Sequence, residues 1–455
     1  MGTAKLHKGH WHNWSGSVQS QPREIAQPTS IDELAQQMAA FSRSGRHVRV
    51  VGAGHSFTPI AQSNDVLMSL DKLQGIISVD AEQGTATVYG GTRLFHLGPA
   101  LHKHGLAQEN MGDINQQSIA GAISTNTHGT GLGFGSIATQ VLALTLVTAN
   151  GDVVDCSPSE NPELFKAAQV SVGTLGVIAK VTLRVVPSKR LRLQTRRERL
   201  STCLEHLEEY QQQNNHFEFY WFPYTDMGQV KFLNETDAPA TRSNLWSTFN
   251  KLAVENGALW LLSESCRMFP RISPRVSKIS VAGITPLNEV NYSHQLYATP
   301  RMVKFQEMEY SIPVAQFSTV MGEIQARINE RRYRVNFPIE CRFVKGDNIW
   351  LSTAQGRDSA YIAIHMYRGM EYQRYFREIE EIFTQHEGRP HWGKIHTRDA
   401  AYLASVYPHW EDFRRVRAQI DPQGLFLNDY LRTLFAADVT APVAAVIPSG
   451  SLASE

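Results

Sequence analysis

The sequence predicts a two-domain α+β protein, and three observations carry that prediction. A chain of 455 residues is longer than one ordinary hydrophobic core serves. Its first 190 residues hold period-two segments joined by short turns, without the long strand–helix alternation of a parallel sheet. After about residue 190 the composition shifts to a charged, Gln-rich stretch and then to the aromatic run FEFYWFPY (217–224). The expected organisation is a first domain over 1–190, a second over 191–435, and a disordered tail over 436–455 that lacks aromatic residues.

Each element has its own signal. Over 31–45 apolar residues recur at helical spacing, with Ser30 or Asp32 near the start. Residues 48–54 read as a short strand and turn. IISVD (76–80) and TATVYG (85–90), joined by AEQG, read as a hairpin. Residues 92–104 carry helical spacing and stop at Gly105. VLALTLVT (141–148) and VVDC (153–156) form a second hairpin, and GVIAKVTLRVV (176–186) is a long strand closed by Pro187. The 190–215 stretch is expected to be helical, FEFYWFPY a strand, and 236–275 carries no clear pattern. From MEYSIP (308–313) to HWGKIH (391–396) strand and helix patterns return, and EDFRRVRAQI (411–420) is a short helix before the turn DPQG.

Bulk properties exclude several classes. The chain is 42% hydrophobic and 19% charged, the balance of a folded soluble protein. A formal charge of +1 without a basic run argues against nucleic acid as partner. The four cysteines (156, 203, 266, 341) lie far apart without metal-ligand spacing, so no metal is expected and a reducing compartment is. The N-terminal residues lack an apolar signal region, and no stretch approaches the roughly 20 apolar residues of a membrane span, so the expected location is the cytoplasm.

The chemistry concentrates in two glycine-bearing stretches. VVGAGHSF (50–57) opens like a dinucleotide-binding turn, but Phe57 stands where the third glycine belongs and a loop follows instead of a helix. A nicotinamide dehydrogenase is therefore disfavoured. In QQSIAGAISTNTHGTGLGFGSIATQ (116–140) almost every residue from 117 to 131 is small or hydroxylated. Such a loop lets backbone approach a ligand closely and offers neutral donors to a pyrophosphate.

With VGAGHSF, NMGDINQQSIAGAISTNTHGTG and SVGTLGVIAKVTL in that order, the chain resembles the vanillyl-alcohol-oxidase-type flavoproteins, and among them the sugar-lactone and alditol oxidases. WHNWSG (11–16), FPIECRF (337–343), HWGKIH and DPQGLFLNDYLRTLF (421–435) extend the resemblance over residues 11–435. It implies a PCMH-type FAD-binding domain followed by a substrate domain of the aldonolactone-oxidase type. It further implies FAD joined covalently to His55, a role suited to a neutral imidazole nucleophile. Gly52, Ala53, Gly54 and Ser56 would line the isoalloxazine and pyrophosphate. Ser118, Gly121, Thr125, Asn126 and Thr127 would hold the phosphates and ribityl chain, and Ile178 would present backbone to the adenine. His391 joins the cofactor set, and His128 reads equally as a cofactor contact or a buried structural histidine.

For catalysis the resemblance points to Glu340 and Arg342, which share a face at i and i+2 of a strand, and to Lys394 and His365. Glu309 is a further neighbour. Gly112 stands at the position that governs access of O2 and favours an oxidase, whereas Asp113 replaces the serine that touches an alditol and favours a lactone. The implied reaction passes a hydride from a sugar lactone to flavin N5, and O2 becomes H2O2. Alternatives are an alditol oxidase acting on a terminal CH2OH, a dehydrogenase reducing a quinone or cytochrome, and a non-catalytic flavin-binding module that need not keep both Glu340 and Arg342.

Overall fold

The computed structural model describes residues 9–241, 245–299 and 303–435. The expectation of a disordered tail over 436–455 lies outside them. Near the N-terminus, Ser30 caps the helix Ile31–Arg43 by accepting the Glu33 N–H at 3.0 Å, and Leu34, Met38 and Phe41 turn inward at helical spacing. This helix packs by a small parallel sheet ordered Glu24–Ala26, Val66–Ser69, Val48–Val51. Beside it a five-stranded antiparallel sheet runs Val153–Cys156, Val141–Val147, Val177–Arg184, Thr85–Tyr89, Ile76–Asp80, and contains both hairpins read from the sequence. Helix Leu94–Lys103 ends before Gly105, whose φ of +73° is cheap only for glycine.

A second, eight-stranded sheet is antiparallel throughout. Its order is Leu287–Tyr292, Arg190–Arg199, Met227–Glu235, His216–Trp221, Ile339–Val344, Ser359–Tyr367, Phe305–Pro313, Arg389–Pro390. Here the structure corrects the expectation of helix over 190–215. Arg190–Arg199 is a strand, and only Leu200–Glu205 and Leu207–Gln213 are helical. In RLRLQTRRER the buried Leu191, Leu193 and Thr195 alternate with outward polar residues, so the period of two outweighs the charge-rich composition. The unassigned 236–275 stretch contains the helix Leu245–Met268.

The alternation of the central strands sorts chemistry from packing. Phe217, Phe219, Cys341, Phe343, Ile362, Ile364, Met308 and Tyr310 belong to one buried cluster with Phe317, Ile324, Ile379 and Phe383 of helices Phe317–Arg331 and Gln373–Gln385. Each such apolar side chain contributes about 1.5–3 kcal/mol. The intervening positions carry Glu218, Glu340, Arg342, His365, Glu307 and Glu309, all buried, and the half-buried Tyr220. One face of the sheet is therefore core, and the other is a polar wall facing the first half of the chain. Residues of the last helices, among them Leu403, Trp410, Leu431 and Phe435, share a core cluster with Leu94, Leu97, Ile119 and Val181. The chain thus returns to its first half at the end.

Candidate active site

The turn at 52–57 is held by three hydrogen bonds to two segments remote in sequence. Trp14 N–H donates to Gly54 O at 2.7 Å, Asn13 Nδ2 donates to Ser56 O at 3.0 Å, and Phe57 N–H donates to Gly393 O at 2.7 Å. The preceding strand is anchored by the C-terminal motif: Val48 N–H donates to Leu425 O at 2.9 Å, and the Asp421 carboxylate accepts the N–H groups of Leu425 and Phe426 at 2.8 and 2.9 Å. WHNWSG, HWGKIH and DPQGLFLNDY are thus scaffolding for one short turn.

Two cavities meet at that turn. The first, of about 960 Å³, is lined by Gly52, Ala53, Gly54, Ser118, Gly121 and Ile178 among others. The second, of about 690 Å³, is walled by the polar face of the large sheet. His55, Ser56, Thr125 and Gln117 line both. A side chain at Gly52 would collide with the Ser118 hydroxyl, and one at Gly90 with the Ile178 carbonyl, so glycine lets these segments pack closely where they line the first cavity. Val172, at φ 53°, and Gly173, at φ 67°, form its far wall, and a β-branched residue in this left-handed region marks local strain. Arg49, which sequence reasoning missed, also lines it. Its guanidinium donates to the carbonyls of Ile60, Gly173, Val172 and Phe426, and burial lowers it to about 9.

His55 sits where the cavities join. Trp14 stacks on its ring at 5.6 Å, and its Nε2 is buried with no hydrogen-bond partner among the described residues. Burial pushes the imidazole down to about 4, and the Lys394 and Arg93 cations add to the shift. The ring is neutral at pH 7.

The second cavity gathers Gly112, Asp113, Thr127, His128, Glu340, Arg342, His365, His391 and Lys394. Arg342 is ion-paired to Glu340 through Nη2, lies 3.7 Å from Asp113, and donates from Nε to Glu218 Oε2 at 2.8 Å. Tyr220 donates its hydroxyl to Glu340 Oε1 at 3.0 Å. Lys394 Nζ pairs with Glu307 at 2.5 Å and stands 5.4 Å over the Phe57 ring. Burial opposes ionisation of Glu307, but the Lys394 cation holds it down at about 2. His365 Nδ1 lies 3.1 Å from the Pro338 carbonyl, which only accepts, so that nitrogen carries the proton. Its Nε2 then faces Glu307 at 3.5 Å and Glu340 at 3.9 Å.

His128 donates from Nδ1 to Gly129 O at 2.8 Å, lies tilted against the Tyr361 ring with centroids 3.7 Å apart, and faces Glu309 from Nε2 at 3.3 Å. Burial would favour neutral Glu309, yet His128 and then Lys394 hold it well below the usual carboxylate range. His391 accepts the Gly393 N–H on Nδ1 at 3.0 Å, and burial lowers it to about 3. His128, Glu309 and His391 converge closely enough to surround a cation, but each has a protein partner that accounts for its orientation.

Asn126 alone of the expected contacts lines neither cavity. Its φ of 59° turns the side chain to donate to Ser352 and Thr353 hydroxyls at 3.1 and 2.8 Å, which ties the small-residue loop to the second half of the chain. Gly112 lies against the wall: a Cβ there would be 3.0 Å from His128 O and 3.2 Å from Thr127 Cγ2. Glu218, Tyr220, Glu307 and Trp14 belong to the site or its support and escaped sequence reasoning.

Comparison with known proteins bears on this geometry. A family model described as D-arabinono-1,4-lactone oxidase matches residues 181–434, and one described as FAD binding domain matches residues 22–157. The chain belongs to the D-arabinono-1,4-lactone oxidase family. It is 41% identical over 422 residues to an L-gulono-1,4-lactone dehydrogenase of Mycobacterium tuberculosis, covering 93% of this chain and 98% of that one. An L-gulonolactone oxidase of Scyliorhinus torazame is 33% identical over 432 residues, covering 93% and 98%. An alditol oxidase of a Streptomyces species is 30% identical over 444 residues, again covering 93% and 98%. In three dimensions a cholesterol oxidase of B. sterolicum superposes with a TM-score of 0.78 at 18% identity, covering 95% of this chain and 97% of that chain, which shows a shared fold.

As a member of the D-arabinono-1,4-lactone oxidase family the chain is an FAD-dependent oxidoreductase with an FAD-binding domain and a mixed helix-and-sheet second half. The first cavity fits the cofactor: it is roomy and glycine-lined, and its lining includes a neutral histidine whose Nε2 has no hydrogen-bond partner among the described residues. Among the described residues no helix is long and apolar enough to cross a membrane.

Proposed function

We propose that the protein oxidises a secondary alcohol of an uncharged sugar lactone, of the L-gulono-1,4-lactone or D-arabinono-1,4-lactone type, with O2 as acceptor and H2O2 as product. The observation that carries this reading is the buried Glu340–Arg342 pair in the second cavity, whose lining includes His55 of the first. FAD held by the glycine-lined first cavity would supply the hydride acceptor. The protein's side chains do the rest.

Arg342 presents a planar guanidinium that grips a ring oxygen or carbonyl of the substrate and stabilises negative charge as it develops. His365 Nε2, buried without a hydrogen-bond partner among the described residues, takes the hydroxyl proton, and the Glu307 and Glu340 carboxylates stabilise the resulting imidazolium. Arg342 and Lys394 already face Glu340 and Glu307, so the cavity suits a neutral lactone better than the carboxylate formed by opening it. We place FAD in covalent linkage with His55, and the protein in the cytoplasm.

A panel of aldonolactones, aldonates and alditols, read by H2O2 release, tests the reading. Lactones are expected to turn over, and a preference for alditols would overturn it. Asp113→Ser is expected to shift that preference towards alditols. The dehydrogenase among the relatives favours a second reading, in which a quinone replaces O2. Gly112→Ala is expected to slow reoxidation in air more than reduction by substrate, as measured by rapid mixing of each half-reaction. Equal slowing of both would assign the effect to a displaced Thr127–His128 wall. Slow reaction of the wild type with O2 beside fast reaction with a quinone would establish the second reading.

A further inference from the structure

Behind the Glu340–Arg342 pair lies a second layer of charge that does not border the substrate cavity. Lys231, Glu218 and Arg342 stand directly opposite one another on three adjacent strands. Lys231 Nζ pairs with Glu218 Oε1 at 2.7 Å, and Arg342 Nε donates to Glu218 Oε2 at 2.8 Å, so both carboxylate oxygens are engaged. All three side chains line a separate small cavity of about 270 Å³, which Glu218 and Lys231 reach while staying outside the larger one.

We infer that Glu218 and Lys231 are positioning residues for Arg342, with Glu218 fixing the plane of the guanidinium and Lys231 balancing the charge of Glu218. The inference rests on the reading of Arg342 as the group that meets the substrate. A guanidinium held only by Glu340 can rotate about that contact. A second carboxylate on Nε defines the plane, because the donors of the fork are rigidly related. Arg342 faces three carboxylates, Glu340, Glu218 and Asp113, and Lys231 is the further cation in the group. Without it, Glu218 would compete harder for Arg342 and draw it from Glu340. Burial favours the neutral form of Glu218, yet Lys231 and Arg342 keep it far below the usual carboxylate range, and Lys231 itself is raised despite burial. A buried ion pair is a poor device for stability alone, since apolar residues of similar size serve as well. Its use here is to orient.

The test uses the full-length, FAD-loaded protein with L-gulono-1,4-lactone as probe. Anaerobic flavin bleaching gives the reduction rate and its half-saturating concentration, and a crystal structure of each variant gives the Arg342 orientation. Glu218→Gln is expected to lower the reduction rate about 10- to 100-fold, the usual effect of misplacing a reacting group through its support. Half-saturation should change little, and Arg342 should be found turned from its present plane. The double variant Glu218→Gln/Lys231→Met removes both charges together and leaves no lone buried ion, so it should fold while showing a similar loss. In an Arg342→Ala background Glu218→Gln should cost nothing further, whereas a merely structural residue would still exact its loss. Unchanged reduction and an unmoved Arg342 in the single and double variants, or an undiminished effect in the Arg342→Ala background, would overturn the inference. A wild-type protein that no lactone reduces would instead overturn the proposed function, and the Arg342 orientation in the variants would still decide the positioning role.

Discussion

Arg342→Ala is expected to slow flavin reduction by a lactone at least about 10²–10³-fold, the usual cost of removing a donor aimed at developing negative charge. Arg342 is no exposed strand ion pair: it is buried, flanked by Glu340, Glu218 and Asp113, and faces the cavity that adjoins His55. Those three carboxylates keep it charged against burial, well above its ordinary range. Arg342→Lys retains the charge but cannot bond Glu340 and Glu218 from one rigid plane, so it should recover only part of the loss. Glu340→Gln is gentler, since Tyr220 can still donate to the amide oxygen, but the carboxylate 3.9 Å from His365 is gone. It should weaken both lactone binding and reduction. Anaerobic rapid mixing separates the two effects, and near wild-type reduction in both Arg342→Ala and Glu340→Gln would place the active site elsewhere.

How much of this was legible in the sequence depended on the distance between partners. His55 stood out because its neighbours are contiguous, and Glu340 and Arg342 because one short strand carries both. The residues that support them were hidden for a physical reason. Glu218 meets Arg342 across 124 positions of chain, and only the register of two strands brings them together. A glutamate inside an aromatic run was the one available signal, since burial of a charge demands a partner. Glu307 was hidden in the same way, facing His365 across a strand pair. Composition misled at Arg190–Arg199, where charged residues on a sheet's outer face resemble a solvated helix unless their alternation is counted. At Asn126 a polar residue amid a ligand-like loop bonds the protein instead, because a left-handed backbone turns it away.

Protein denatured in acid should stay yellow, and its mass should exceed that of the polypeptide by one FAD. Attachment depends on the protonation of His55. Attachment needs an imidazole lone pair, and an ordinary histidine loses it as pH falls through about 6.5. Burial, with Lys394 and Arg93 nearby, moves that loss down to about 4 here. Flavin incorporation into apoprotein should therefore proceed as completely at pH 6 as at pH 8, and fail only as pH approaches the lowered value. The Trp14 ring stacked 5.6 Å away and the hydrogen bonds from Trp14, Asn13 and Phe57 hold the turn, so the imidazole is placed before the cofactor arrives. His55→Leu fills similar space without a nucleophile. That variant should bind FAD that acid precipitation releases, with the sheet and the Glu340–Arg342 pair intact. Complete release of flavin from the wild type by acid, or a denatured mass equal to that of the polypeptide alone, would show that His55 serves the turn and not the bond.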